Sequence, residues 1–158
     1  MSVVTLPCPA VELVPQRPPM LLVSELLEWQ PGRALVRAGV PAAGIWFDAK
    51  TGIPAEYWIE LVAQAVAASN GYAARQAGAA PGGGMLVGVD AFRSFRAPQP
   101  GATVLVDLEK TFEFGAVKII RGWVRNAEVD KADEAGGAAG LAEVEIKVWE
   151  GEMAEAGP

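Results

Sequence analysis

"IPAEYWIELVAQAVAASNGYAARQAG" runs from Ile53 to Gly78 and is the longest helix-like stretch of the chain. Pro54 is favourable near a helix start, and Glu56 suits the first turn, where a negative charge meets the positive end of the helix dipole. Gly78 is a typical stop signal, so we expect a helix from about Pro54 to Gln76. Its small side chains would let a sheet approach the helix axis closely; they include Ala63, Ala65, Ala67 and Ala68.

The remainder of the chain reads mainly as strands. Arg33–Pro41 fits a half-buried strand, because Arg33, Leu35 and Arg37 fall on one face and Ala34, Val36, Ala38 and Val40 on the other. The apolar run Met20–Trp29 fits a strand or a short helix. Four further strand-like runs follow the helix: "MLVGVDAF", "TVLVDLEKTFEF", "AVKIIRGWVRNAEV" and "GLAEVEIKVWE". One long helix among several strands predicts an α+β fold, with an antiparallel meander around the helix.

Composition narrows the class of protein. The chain has 158 residues, 51% apolar and 20% charged, which predicts a single globular domain over 1–158. Within it, 1–12 reads as a lead-in, 129–140 as a mobile hairpin loop and 151–158 as a tail. The net charge of -6 argues against nucleic-acid binding. No run is apolar enough to span a membrane, no signal peptide is visible, and the single Cys8 allows no internal disulfide, so we expect a cytoplasmic protein.

Glu60 is the first candidate for chemistry. It lies on the predicted helix among apolar neighbours, and Gln64, four residues on, shares its face. A carboxylate there is either exposed at the rim or buried for general acid/base work. Trp46 and Phe47 lie on a loop-like segment, Ala42–Gly52, and either join the core or wall a pocket.

Three segments carry a resemblance to a known family: "VPQRPPMLLV" (Val14–Val23), "IPAEYWIELVAQ" (Ile53–Gln64) and "GVDAFRSFRAPQPG" (Gly88–Gly101). Over most of its length the chain resembles the hot-dog-fold β-hydroxyacyl-acyl-carrier-protein dehydratases. Within them it is most similar to a divergent dehydratase-like branch seen with aryl-polyene-type pathways.

The resemblance implies a curved antiparallel sheet wrapped around a central helix, and a dimer whose two sites are each built from both protomers. It implies a catalytic pair, a histidine at the position of Gln16 and a carboxylate at Glu60. It also implies that a backbone N–H at the helix start, by Ala55 where the family usually has glycine, polarises the thioester carbonyl. The predicted substrate-binding residues are Ala55, Glu56, Gln64, Trp46 and Phe47.

Gln16 departs from that pattern, and the chain contains no histidine. An amide can donate and accept hydrogen bonds but cannot transfer protons near neutral pH. Either Glu60 works alone or the protein does not dehydrate.

The leading hypothesis is therefore a dehydratase-like protein that acts on or binds 3-hydroxyacyl thioesters of acyl carrier protein or coenzyme A, in fatty-acid or polyene synthesis. The alternatives are an acyl thioesterase that uses Glu60 alone and a non-catalytic partner subunit of a dehydratase. We expect no metal or cofactor, and a homodimer, a multiple of dimers or a heterodimer with an active homologue.

Overall fold

The computed structural model describes residues 4–80, 84–128 and 140–151. In these ranges one α-helix, α1 (Tyr57–Gln76), packs against a sheet of seven strands. The strands are β1 (Cys8–Pro9), β2 (Val23–Gln30), β3 (Arg33–Gly39), β4 (Gly84–Ser94), β5 (Thr103–Phe114), β6 (Val117–Asn126) and β7 (Gly140–Glu150). Their order across the sheet is β1-β2-β3-β5-β6-β7-β4, and all neighbouring pairs are antiparallel. The predicted α+β class is confirmed.

Helix α1 begins at Tyr57 rather than at Pro54. Residues 54–56 form a turn, in which the Pro54 carbonyl accepts a hydrogen bond of 3.1 Å from the Tyr57 N–H. The helix ends at Gln76, and Gly78 follows with a φ of 69°, a left-handed conformation that glycine adopts without strain. Gly78 therefore ends the helix as the sequence predicts.

The core lies between α1 and the face of the sheet that the helix covers. Trp58, Leu61 and Val62 of the helix are fully buried. Opposite them are the alternate apolar residues of three strands, Val36 and Ala38, Val104 and Val106, and Val144 and Ile146. A Cβ at Gly122 would lie 2.5 Å from Cγ1 of Val62, so the lack of a side chain there allows the helix to approach the sheet closely.

Strand β4 is placed differently from the predicted meander. Strands β5, β6 and β7 form a meander, but β4 pairs with β7 at the sheet edge instead of with β5. The reason is visible on β3, whose buried Ala34, Val36 and Ala38 lie opposite the buried Leu108, Val106 and Val104 of β5. Strand β5 therefore continues the buried face of β3, and β4 extends the opposite end of the sheet through its pairing with β7.

The structure also bears on several smaller expectations from the sequence. Part of the lead-in 1–12 is structured, because Cys8 of β1 pairs with Leu26 of β2. The ambiguous run Met20–Trp29 is a strand from Val23 onwards. The predicted hairpin loop 129–140 lies outside the described residues except for Gly140, and the tail 151–158 lies outside them except for Gly151. No helix in the described ranges has the length and apolar character that crossing a membrane requires.

Candidate functional site

A cavity of about 340 Å³ lies beside the middle of α1. Its walls come from the helix, from strands β4 and β7, and from the segment 14–22, which we call the proline loop. We call it the Glu60 cavity. The residues around it are Leu13, Pro15, Gln16, Glu60, Ala63, Gln64, Val66, Ala67, Asn70, Gly71, Gly84, Leu86, Ile146 and Val148.

Gln64 holds the carboxylate of Glu60 in place. Gln64 is only 1% exposed, and its Nε2 donates to Oε1 of Glu60 at 2.9 Å and to the carbonyl of Met20 at 2.7 Å. Its Oε1 accepts from the backbone N–H of Leu22 at 2.8 Å. One buried amide thus ties the end of the proline loop to α1 and orients Glu60. The second carboxylate oxygen, Oε2, accepts no hydrogen bond from the described part of the chain, so it is free to act on a bound molecule.

Gln16 reaches the same cavity from the proline loop. The guanidinium of Arg17 closes this loop, because its Nη1 donates to the carbonyls of Val14 at 2.8 Å and Gln16 at 2.7 Å. Gly71 of the helix makes room for the chain just before the loop, since a Cβ there would overlap the carbonyl oxygen of Leu13. The loop therefore presents Gln16 at the cavity beside the helix.

The side-chain Oε1 of Gln16 is buried and has no hydrogen-bond partner among the residues described. A buried acceptor without a partner costs about 1–3 kcal/mol. A hydroxyl or N–H group of a ligand would remove that cost.

Glu60 is the only ionisable residue in the described walls of this cavity. Because these 158 residues include no histidine, they supply no imidazole to the site. The remaining walls are largely aliphatic, with Ala63, Ala67, Leu86, Ile146 and Val148 among them. The arrangement suits an apolar ligand with one polar end, on which a single carboxylate can act as general base or general acid.

Both predicted catalytic residues, Gln16 and Glu60, thus line one cavity of a single chain. Beside them, the side chain of Gln64 connects helix α1 to the proline loop. The resemblance implied sites built from two protomers; the single chain places both residues on the wall of one cavity, and a contribution from a second protomer stays a prediction. Their catalytic roles stay a prediction.

The other predicted site residues lie elsewhere, at the start of α1. The ring of Trp46 packs edge-to-face on Tyr57, with ring centroids 5.4 Å apart, while Phe47 and Glu56 are exposed. The carbonyl of Ala55 accepts from the first turn of the helix. None of Trp46, Phe47, Ala55 or Glu56 is in the walls of the Glu60 cavity. Their part in substrate binding stays a prediction.

Sequence reasoning missed most of the cavity wall. Ala63, Ala67, Asn70 and Gly71 follow Glu60 at helical spacing, so the face that carries Glu60 could have been extended along the helix. Leu86, Ile146 and Val148 could not have been found in this way, because their approach depends on the pairing of β4 with β7.

Another cavity, of about 420 Å³, lies on the face of the sheet that points away from the helix. Its charged residues are largely paired within the sheet: Arg33 contacts Glu109 at 3.2 Å, and Asp107 accepts from Arg125 at 2.8 Å. Since these charges neutralise one another, the Glu60 cavity is the better candidate site.

Comparison with known proteins identifies the family of this chain. The sequence model of the ApeP-like family, described as ApeP dehydratase, matches residues 8–133. The chain belongs to this family. A search of curated proteins gives no match.

Comparison with solved structures shows the fold of the chain. The dehydratase heterocomplex ApeI:P from Xenorhabdus doucetiae has a TM-score of 0.74 at 17% identity, with 91% of each chain covered. A hypothetical thioesterase with coenzyme A from Streptococcus pneumoniae has a TM-score of 0.60 at 10% identity, covering 82% of this chain and 86% of that one. An uncharacterized protein from Pyrococcus horikoshii has a TM-score of 0.61 at 14% identity, covering 94% and 97%. This ApeP-like chain has the hot-dog fold, as the resemblance implied.

Proposed function

We propose that this chain is a dehydratase-like subunit that binds 3-hydroxyacyl thioesters in the Glu60 cavity and dehydrates them only together with a histidine-bearing homologue. The observation that carries the proposal is the single carboxylate, oriented by Gln64, in an otherwise largely apolar cavity of a chain without histidine. Membership of the ApeP-like dehydratase family supports the class of reaction.

The chemistry explains why a second chain is needed. Dehydration transfers the C2 proton to a base, forms the C2–C3 double bond and breaks the C3–O bond. The hydroxyl leaves as water only if an acid supplies a proton to it. Glu60 can accept the C2 proton through its free Oε2, while Gln16 can only hold the substrate by hydrogen bonding. In this proposal the acid comes from another chain.

The sheet edge beside the cavity suits that second chain. Strand β4 pairs only with β7 among the described strands, so its other side presents unpaired backbone groups. Met85 and Val87 are more than half exposed, and Leu86 and Val89 are also exposed. Apolar edge strands invite pairing with a further strand. Because Gly84 and Leu86 belong to the cavity wall, a chain added at β4 would lie next to Glu60.

A similar structure supports this assembly. The ApeI:P dehydratase from Xenorhabdus doucetiae is a heterocomplex by its name, and we propose the same kind of pairing for this chain. Alone, the chain would pair with a second copy through β4 and form a homodimer or a multiple of it.

An acyl thioesterase is the second candidate. One carboxylate can activate a water molecule that attacks the thioester carbonyl, which requires no imidazole. The similar hypothetical thioesterase from Streptococcus pneumoniae, named with coenzyme A, makes this reaction worth measuring in parallel.

Three protein samples are incubated with a 3-hydroxyacyl thioester of acyl carrier protein. The first contains this chain, the second a histidine-bearing hot-dog dehydratase from the same organism, and the third contains both proteins. Enoyl product and free thiol are measured by mass spectrometry. We expect a complex that forms enoyl product faster than either chain alone. Dehydration by this chain alone at the rate of the complex would contradict the proposal, and release of free thiol that depends on Glu60 would favour the thioesterase.

The proposed interface has a matched control. Val87→Lys places a charge on the free edge of β4, whereas Phe114→Lys places one on an apolar residue of β5 that is 77% exposed and three strands away from β4 in the sheet. Light scattering should show that Val87→Lys weakens assembly and Phe114→Lys does not. Equal effects of both substitutions would exclude β4 as the interface.

A further inference from the structure

A second cavity adjoins the Glu60 cavity. It has a volume of about 220 Å³ and lies between α1, the β2–β3 turn, and strands β5 and β6. We call it the rear cavity. Two helix residues, Val66 and Asn70, line both cavities. They are four positions apart and so occupy the same helix face on successive turns.

The register of the sheet places the two cavities side by side. Val148 of the Glu60 cavity pairs with Lys118 of the rear cavity, and Ile146 of the first pairs with Ile120 of the second. The boundary between the cavities thus follows the line between β7 and β6, whose paired wall residues lie one strand spacing, about 4.8 Å, apart. Val66 and Asn70 meet that line from the helix and divide the space.

The outer half of this wall is polar. Nδ2 of Asn70 donates to Oε1 of Glu150, and Oε2 of Glu150 accepts from Nζ of Lys118. We call these three side chains the polar bar. The inner half is apolar, because the aliphatic side chain of Val66 forms it, and this side chain is only 3% exposed. The bar connects the helix to both strands at the boundary.

We propose that Asn70 limits the length of the acyl chain that this protein accepts, an inference that rests on the proposed acyl-binding role of the Glu60 cavity. An acyl chain held by its thioester near Glu60 would extend along the aliphatic wall toward the bar. A longer chain reaches the rear cavity only by separating Asn70 from Glu150. It would then place methylene groups against a partly buried Lys118–Glu150 pair, whose desolvation opposes the longer chain.

Binding measurements with Asn70→Ala test this limit. The probes are 3-hydroxyacyl pantetheine amides, which resist hydrolysis, lengthened two carbons at a time, and their affinity is measured by calorimetry. Each buried methylene is worth about 0.8 kcal/mol, which is about a fourfold gain in affinity. For the wild-type protein the gain should stop at a defined chain length. For Asn70→Ala the gain should continue for further methylenes, because the two cavities join, but with a smaller gain per methylene, because the Lys118–Glu150 pair remains.

Two more variants sharpen the comparison. Ser69→Ala changes a residue that lines the rear cavity but not the Glu60 cavity, and it should keep the wild-type length limit. Asn70→Ser is a smaller truncation that should extend the limit in the same direction if Asn70→Ala fails to fold.

Each outcome decides a separate point. If wild-type protein and Asn70 variants share the same limit, or if Ser69→Ala extends it equally, the role of Asn70 is wrong while the acyl-binding role of the Glu60 cavity stands. If no probe of any length binds the wild-type protein, the acyl-binding role itself is wrong, and the inference with it.

Discussion

Replacing Gln64 by methionine tests whether one buried amide holds the site together. The change keeps the length and most of the volume of the side chain but removes its hydrogen bonds to Leu22, Met20 and Glu60. The Leu22 N–H would stay buried without a partner, whereas water can reach the carbonyl of the exposed Met20. The lost bond to Glu60 involves a charge and adds to the cost. We expect the free energy of unfolding to fall by about 2–4 kcal/mol.

Urea denaturation followed by tryptophan fluorescence measures this change at fixed protein concentration. With a slope of about 2 kcal/mol per molar urea, the midpoint should fall by about 1–2 M. Gln76→Met is the matched control, because Gln76 is exposed and donates a single bond of 2.9 Å to the carbonyl of Val4. Gln76→Met should lower the free energy of unfolding by less than about 1 kcal/mol. Equal midpoints for Gln64→Met and the wild-type protein would refute the assigned role of Gln64.

Three further predictions follow from individual contacts. Gln16→His should raise the rate of enoyl formation by the chain alone, because an imidazole can supply the missing acid. An unchanged rate would show that this position is not the place of the second proton-transfer group. Gly71→Ala should destabilise the protein by about 1–3 kcal/mol in thermal or urea unfolding, because its Cβ would overlap the Leu13 carbonyl; a more stable variant would contradict the close contact. Burial raises the pKa of Tyr57 from 10.0 to about 12, so the native state keeps the phenol proton where the unfolded chain loses it. Stability should therefore fall between pH 10 and about 12, by about 2–3 kcal/mol in all, and Tyr57→Phe should remove this part of the decline.

Local patterns predicted the fold well where each element carries its own signal. Helix α1 has a start, a stop and a run of small residues, and β3, β5 and β7 alternate between apolar and polar residues. The helix starts three residues after Pro54 because a turn, with hydrogen bonds between residues three apart, precedes it.

Non-local features could not be read in this way. The position of β4 depends on which strand it pairs with, and its apolar sequence fits an edge or a centre equally well. The same limit applies to the site. Glu60 and Gln64 share a helix face by spacing, but the arrival of Gln16 beside them depends on the Gly71 contact and the Arg17 bonds. The loop residues Trp46 and Phe47 carried no signal of where the loop folds.

The central claim is that Glu60 is the proton-transferring carboxylate of a two-chain dehydratase. The most direct measurement is the rate of enoyl formation by the complex of this chain with its histidine-bearing partner, compared between Glu60→Gln and the matched control Glu128→Gln. Glu128 is exposed just after β6 and lies outside the cavity wall, so its substitution should leave the rate unchanged. Glu60→Gln should lower the rate gained on forming the complex by about 10²–10⁴-fold, the usual effect of losing one general acid or base. An unchanged rate in Glu60→Gln, with the complex intact by light scattering, would contradict the claim.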